Sequence, residues 1–211
     1  MVINGKDLYQ FSTYISKINL SFNQYLLSGD EPILIHTGNI KQAEAMIPQL
    51  KAALNGKDLK YIFISHFESD ECGGLSIILK HFPKAKPVCS RTTAQQLIGF
   101  GLVDEVIIKK PGDKIRTNDY ELEFLSYPSE MHLWEGLLAV ESKQGIFFSS
   151  DLMMDFGGEM GVVKKSNWSI EVNNIRLDQV PDIKKYAQLQ QALLQLNPSF
   201  VATGHGPCLK L

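Results

Sequence analysis

Four short apolar runs in this chain each lead into a residue able to hold a metal ion. Tyr61-Ile62-Phe63-Ile64-Ser65 ends on His66, "LEFLSYPSEM" is followed by His132, "GIFFSS" ends on Asp151, and "SFVAT" runs into Gly204-His205-Gly206. Such nearly continuous runs suit strands buried on both faces. A rigid sheet also positions the loops at its strand ends accurately enough for chemistry. The first run opens into "HFESDECGG", where His66, Glu68, Asp70 and Glu71 fall within six positions. Carboxylates crowded against a buried strand end repel one another and lose hydration, so a positive charge is expected among them.

The remaining pattern alternates strands with single helices. "NQYLLSGDEPILIHTG" reads as a β-hairpin turning at Ser28-Gly29-Asp30. "NIKQAEAMIPQLKAAL" follows with apolar residues at helical spacing and Pro48 as a candidate kink. "LSIILKHF" and "TTAQQLIGFGL" predict helices on either side of a "KPVCS" strand. "VDEVIIKKPGDKIRTNDYELEFLSY" predicts strand, turn, strand; "LLAVES" and "GIFFSSD" predict two strands joined by "KQG"; "QVPDIKKYAQLQQALLQL" is the clearest amphipathic helix. With no linker or strong repeat, residues 1–211 are expected to form one α/β domain. Its architecture would be an αββα sandwich, two mixed β-sheets face to face with helices outside.

Charge narrows the partners. A formal net charge of −2, with no run of like charges, argues against nucleic acid. No apolar stretch reaches the length of a membrane span, and the N-terminus lacks the pattern of a cleaved signal. Cys72, Cys89 and Cys208 form no CxxC pair and are odd in number, so a reducing cytoplasm is expected.

The candidate ligands are His66, Glu68, Asp70, His132, Asp151 and His205, with Glu71 as a further ligand or a neighbour that hydrogen-bonds to one. An inventory of imidazoles and carboxylates without thiolate suits two neighbouring ions of borderline to hard character. Its carboxylate excess leans toward iron, with zinc or manganese as alternatives.

These motifs resemble the metallo-β-lactamase fold, whose usual first motif is H-x-H-x-D-H. Here Glu68 replaces the second histidine, and H-x-E-x-D is the variant of the flavodiiron proteins, oxygen and nitric-oxide reductases of that superfamily. "NQYLLSGDEPILIHTG", "ISHFESDECGG", "SEMHLWEG", "FFSSDLMMDFGG" and "VATGHGP" are similar to successive segments of that family. The intervals agree too: 61 residues lie between Asp70 and His132, 18 between His132 and Asp151, and 53 between Asp151 and His205. The resemblance implies one iron held by His66, Glu68 and His132, another held by Asp70 and His205, and Asp151 bridging them. Two departures stand out. Glu71 occupies a usual histidine position, and Leu211 ends the sequence six residues after His205, so neither a flavodoxin domain nor FMN is expected in this chain.

Single residues carry plainer readings. His36 and His81 read as structural; His36 stands where many relatives have the Asp of "DTG", a position that admits a supporting role only as the minor alternative. Cys72 and Cys208 read as buried small residues. Phe67, Tyr127, Trp134 and Trp168 are candidate pocket walls. Met131, Met153, Met154 and Met160 are a candidate apolar lining, beside a glycine-rich loop at Gly157-Gly158 and Gly161.

Among stand-alone di-iron proteins the resemblance implies an O2 binder: an oxygen sensor with a signalling partner, or a slow reductase. The alternatives are an O2 or NO reductase fed by a separate flavoprotein or rubredoxin, and a dinuclear metal hydrolase, against which Glu68 argues. The resemblance also implies a homodimer.

Overall fold

The computed structural model describes residues 2–3, 8–128, 134–157 and 161–211, the first pair by backbone alone. The chain lays down β1 (Val2–Ile3), β2 (Leu8–Ile15), β3 (Leu20–Leu27) and β4 (Ile33–Ile35) before its first α-helix, α1 (Ile40–Leu54). Then come β5 (Tyr61–Phe63), the single turn α2 (Ser69–Cys72), α3 (Leu75–His81), β6 (Lys86–Cys89), α4 (Arg91–Gly99) and β7 (Ile107–Ile108). The second half contains β8 (Lys114–Arg116), β9 (Glu121–Tyr127), β10 (Gly136–Glu141), β11 (Ile146–Ser150), β12 (Val163–Lys165), α5 (Trp168–Asn174), α6 (Ile183–Leu194), β13 (Phe200–Thr203) and β14 (Cys208–Lys210).

Among the described residues these strands form two seven-stranded mixed sheets, β1-β2-β3-β4-β5-β6-β7 and β12-β14-β13-β11-β10-β9-β8. The expected hairpin is β3 against β4, in register Leu26↔Leu34. From β4 to β7 the pairing is parallel, as is β11 with β13. The runs read as buried on both faces are buried in the structure: β4, β11 and β13 are so throughout.

Three apolar layers result. Phe63, Phe124, Phe148 and Phe200 fill the space between the sheets. α1, α3 and α4 cover the first sheet through Ala43, Leu50, Leu75, Ile78 and Leu97. α5 and α6 cover the second through Trp168, Val172, Leu189 and Leu193. Each fully buried side chain of this size contributes about 1.5–3 kcal/mol. This is the αββα sandwich.

Three local outcomes refine the sequence reading. Pro48 sits inside α1, which continues through it; the helix is fixed by a reciprocal cap between Asn39 and Gln42 and closes on Asn55 in the left-handed conformation. The segment read as strand, turn, strand spans both sheets: β7 pairs with β6 of the first, while β8 and β9 form a hairpin in the second. Gly112, at φ 87, lies in the crossing between them. Trp168 is a core residue of the outer layer rather than a pocket wall. It meets Phe147 edge-on at 5.2 Å, and its indole N–H donates to Leu193 O at 2.9 Å.

Candidate metal centre

The ends of the parallel pairs β4/β5 and β11/β13 carry His36, His66, Asp151 and His205. Two backbone hydrogen bonds stitch the sheets together at this point. Leu137 N–H of β10 donates to Ser65 O at 2.8 Å, and Asn23 N–H of β3 donates to Gly204 O at 2.8 Å. Each fixes the residue just before a histidine. Gly136 permits the first contact, because a Cβ there would stand 2.1 Å from Ser65 O. The Asn23 side chain strengthens the second by donating to Thr203 O and Gly206 O.

α2 turns the acidic segment inward. Its one turn follows Glu68 and places Asp70 and Glu71 beside the two imidazoles, with Glu71 buried. Thr37 anchors Glu71 from behind, its N–H and its hydroxyl both donating to Glu71 O.

Around His66 Nε2 stand Glu68 Oε2 at 3.2 Å, Asp151 Oδ2 at 3.4 Å and Glu71 Oε2 at 3.6 Å. Around His205 Nε2 stand Asp151 Oδ1 at 3.2 Å and Asp70 Oδ2 at 3.4 Å. Asp151 therefore offers one oxygen to each imidazole. The other ring nitrogens are occupied elsewhere: His66 Nδ1 lies 2.9 Å from Ser65 Oγ, and His205 Nδ1 lies 3.1 Å from Ser21 O. Because a backbone carbonyl only accepts, His205 carries a proton on Nδ1, which leaves Nε2 as the nitrogen that faces the carboxylates and is placed to ligate a metal. Among the described residues, two triads have ligand atoms within 4.8 Å of one another: His66, Glu71 and Asp151; and Asp70, Glu71 and His205.

The charges do not balance. Four carboxylates face two imidazoles among the described residues. Burial opposes charge on both histidines, and the carboxylates outweigh it: Glu68 and Asp151 hold His66 above its ordinary pKa, while Asp151 and Asp70 do so for His205. Burial raises Asp70. Burial also raises Asp151, but His205 and His66 overcome it and hold the carboxyl down at about 2. Glu71 is driven well above the carboxylate range, by burial first and then by Asp151, Asp70 and Glu68. Glu71 Oε2 and Asp151 Oδ1 have no hydrogen-bond partner among the described residues. Asp151 Oδ1 meets His205 Nε2 as an ion-pair contact at 3.2 Å. Buried carboxylate oxygens without donors are costly, and a cation satisfies them where no hydrogen bond does. The residues present thus fit a cationic group.

A cavity of about 910 Å3 opens in front of Asp70, Asp151 and His205. Met153, Met154, Phe22 and Phe156 line part of it, and Lys164 and Arg176 stand on its rim. Tyr127 meets the His66 ring edge-on at 5.6 Å, whereas Phe67 stacks on Phe100 and Trp134 is exposed. His132, Met131, Met160 and Gly158 lie outside the described residues. Sequence reading missed Ser65, Ser150 and Ser21, the groups that set the imidazoles. Only their adjacency to His66, Asp151 and the β3 strand could have signalled them. Cys72, Cys89 and Cys208 are buried free thiols.

The ODP family beta-lactamase profile matches residues 20–206, and the chain belongs to that family. It is 30% identical over 135 residues to putative diflavin flavoprotein A 2 of Nostoc sp., covering 62% of this chain and 23% of that protein. It is 25% identical over 201 residues to diflavin flavoprotein A 1 of Synechocystis sp., covering 90% of this chain and 34% of that protein. An anaerobic nitric oxide reductase flavorubredoxin of Vibrio vulnificus is 25% identical over 134 residues, 62% of this chain and 27% of that protein. The chain thus spans about a quarter to a third of these curated relatives. Among solved structures, rubredoxin oxygen:oxidoreductase of Desulfovibrio gigas superposes with TM-score 0.81 at 14% identity, over 100% of this chain and 57% of that one. The flavodiiron protein of Giardia intestinalis gives 0.79 at 16%, over 97% and 54%. The fold is that of the flavodiiron metallo-β-lactamase-like core.

Proposed function

We propose that this chain is a non-haem di-iron protein that binds O2 at a dinuclear centre and acts as an oxygen sensor or slow O2 reductase. The observation that carries it is Asp151, whose two oxygens each face a different imidazole, 3.4 Å from His66 and 3.2 Å from His205. A carboxylate so placed suits two ions a few ångströms apart. Bound iron would supply the electrons and the open positions for O2 or NO. His66 and Glu68, with His132, would hold one ion; Asp70 and His205 would hold the other, with Glu71 able to reach either triad. Met153, Met154 and Phe22 would give part of the cavity beside the centre an apolar lining, which suits a small gas. Relatives named for nitric-oxide and oxygen reduction support the oxidoreductase reading over the hydrolase. The same centre, fed by a separate rubredoxin or flavoprotein, would serve as an O2 or NO reductase; the relatives' names favour this second reading. Residues 1–211 would act as one domain, as a homodimer in the cytoplasm.

The test is anaerobic. The protein is loaded with ferrous iron, metal per chain is counted, and one equivalent of O2 is admitted while the visible spectrum is followed. Two irons per chain and a long-lived charge-transfer band support the oxygen binder. Rapid bleaching to a plain ferric spectrum supports the reductase. Two tightly held zinc ions with no response to O2 overturn both.

A further inference from the structure

Behind the metal centre, between the sheets, lies a second cavity of about 10 Å3. That is the space one water needs. Tyr25, Ile35, His36, Phe63, Ser65 and Ser150 are among the residues that enclose it. His36 is 4% exposed, and its Nε2 has no hydrogen-bond partner among the described residues. Its backbone is held at φ 62 by a bond from His36 N–H to Phe63 O at 2.8 Å, and its ring stacks on Phe63. Ser150 is likewise left-handed, at φ 49. Two non-glycine residues in this conformation on one small chamber make it a costly construction.

A chain of hydroxyls links the chamber to the centre. His66 Nδ1 lies 2.9 Å from Ser65 Oγ, which lies 2.9 Å from Ser150 Oγ. If His66 Nε2 presents its lone pair to a cation, Nδ1–H donates to Ser65 Oγ, the nearer of two serine hydroxyls, with Ser150 Oγ at 3.4 Å. Ser65 then donates to Ser150, and the Ser150 hydroxyl needs an acceptor of its own. A neutral imidazole nitrogen can be that acceptor. Burial pushes the His36 pKa down to about 3, so His36 is neutral across the working range.

We propose that this chamber binds one structural water joining the Ser65–Ser150 hydroxyl pair to His36 Nε2, and that His36 is thereby a positioning residue for His66. The terminal acceptor gives the chain a direction: every hydroxyl donates away from His66, which fixes the Nδ1–H tautomer and the ring plane. The role of His66 toward a metal rests on the proposed di-iron reading; the water and the tautomer do not require oxygen chemistry.

A high-resolution crystal structure of the full chain, metal-free or zinc-loaded, should show a water within hydrogen-bond distance of His36 Nε2 and a serine Oγ. A dry chamber overturns the proposal. In parallel, 15N spectra of His66 are compared for wild type, His36→Leu and His36→Asn. In metal-free protein, at a pH high enough for His66 to be neutral, wild type should show the Nδ1–H form. His36→Leu should show mixed tautomers and bind zinc about 10–100-fold more weakly, as loss of an outer partner does. His36→Asn, which keeps an acceptor, should retain most of both. Folded Leu and Asn variants that match each other, whether altered or not, overturn it, and the crystallographic arm still decides if His36→Leu does not fold. These readouts stand even if the protein proves not to bind oxygen.

Discussion

His66 leaves the first sheet after β5, and β10 of the second sheet pins the residue before it. His205 leaves the second sheet after β13, and β3 of the first pins the residue before it. The two halves of the centre are therefore built by one device, a backbone bond across the sandwich. They differ in what holds the far ring nitrogen. On the His66 side it is a serine hydroxyl, linked to further side chains. On the His205 side it is a backbone carbonyl, Ser21 O, in a half that also opens to the large cavity. A hydroxyl can reverse its donor and acceptor roles, but a carbonyl only accepts. The His66 half can thus be tuned by substitution, while the His205 half is set as long as β3 is folded.

The symmetry breaks hardest at the residue shared by both halves. Asp151→Ala should lower tightly bound metal from two per chain to at most one, read by elemental analysis of protein loaded with excess zinc or ferrous iron. Retention of two would exclude a bridging role. Gly136→Ala should damage the His66 half selectively, because its Cβ would strike Ser65 O. Overpacking of this kind costs about 1–3 kcal/mol, visible as a lower urea midpoint, and one metal should be lost before the other.

The contrast between hydroxyl and carbonyl predicts a smaller, asymmetric effect. Ser65→Ala should weaken zinc binding by about 10–100-fold. Ser21→Ala should leave zinc affinity unchanged, since the carbonyl remains. It should cost about 1 kcal/mol of stability instead, because Ser21 Oγ accepts from Gly206 N–H. Equal losses of affinity in the two variants would erase the distinction.

The weakest effect concerns thiols away from the ligands. Burial pushes Cys89 up to about 12 and Cys208 up to about 11, from an ordinary 9.0. Folded protein should therefore alkylate very slowly at pH 8. The unfolded chain releases these protons near pH 9 while the folded chain keeps them, so the stability they contribute is full below pH 9. It declines as pH rises through about 11 and 12. Stability constant from pH 8 to 11 would contradict this.

Much of the fold was legible because its signals are local. Continuous apolar runs marked β4, β5, β11 and β13, and helical spacing marked α1 and α6, whose starts the structure shows capped by Asn39 and Asp182. β12 was not legible, since all three of its residues are exposed and carry no apolar pattern. Nor was α5, which buries only Trp168 and Val172. The crossing between β7 and β8 was hidden for another reason: adjacent strands in sequence do not declare which sheet they join.

The sequence by itself determined the order of the motifs and which side chains carry donor atoms, because apolar runs lead directly into His66, Asp151 and His205. Only the tertiary structure decided that His66 and His205 share Asp151, that Glu71 turns inward, and that His36 faces a chamber of its own. Those are distances between residues tens to well over a hundred positions apart. They are set by how two twisted sheets pack and where their backbones bond across the gap, which no short stretch of sequence encodes.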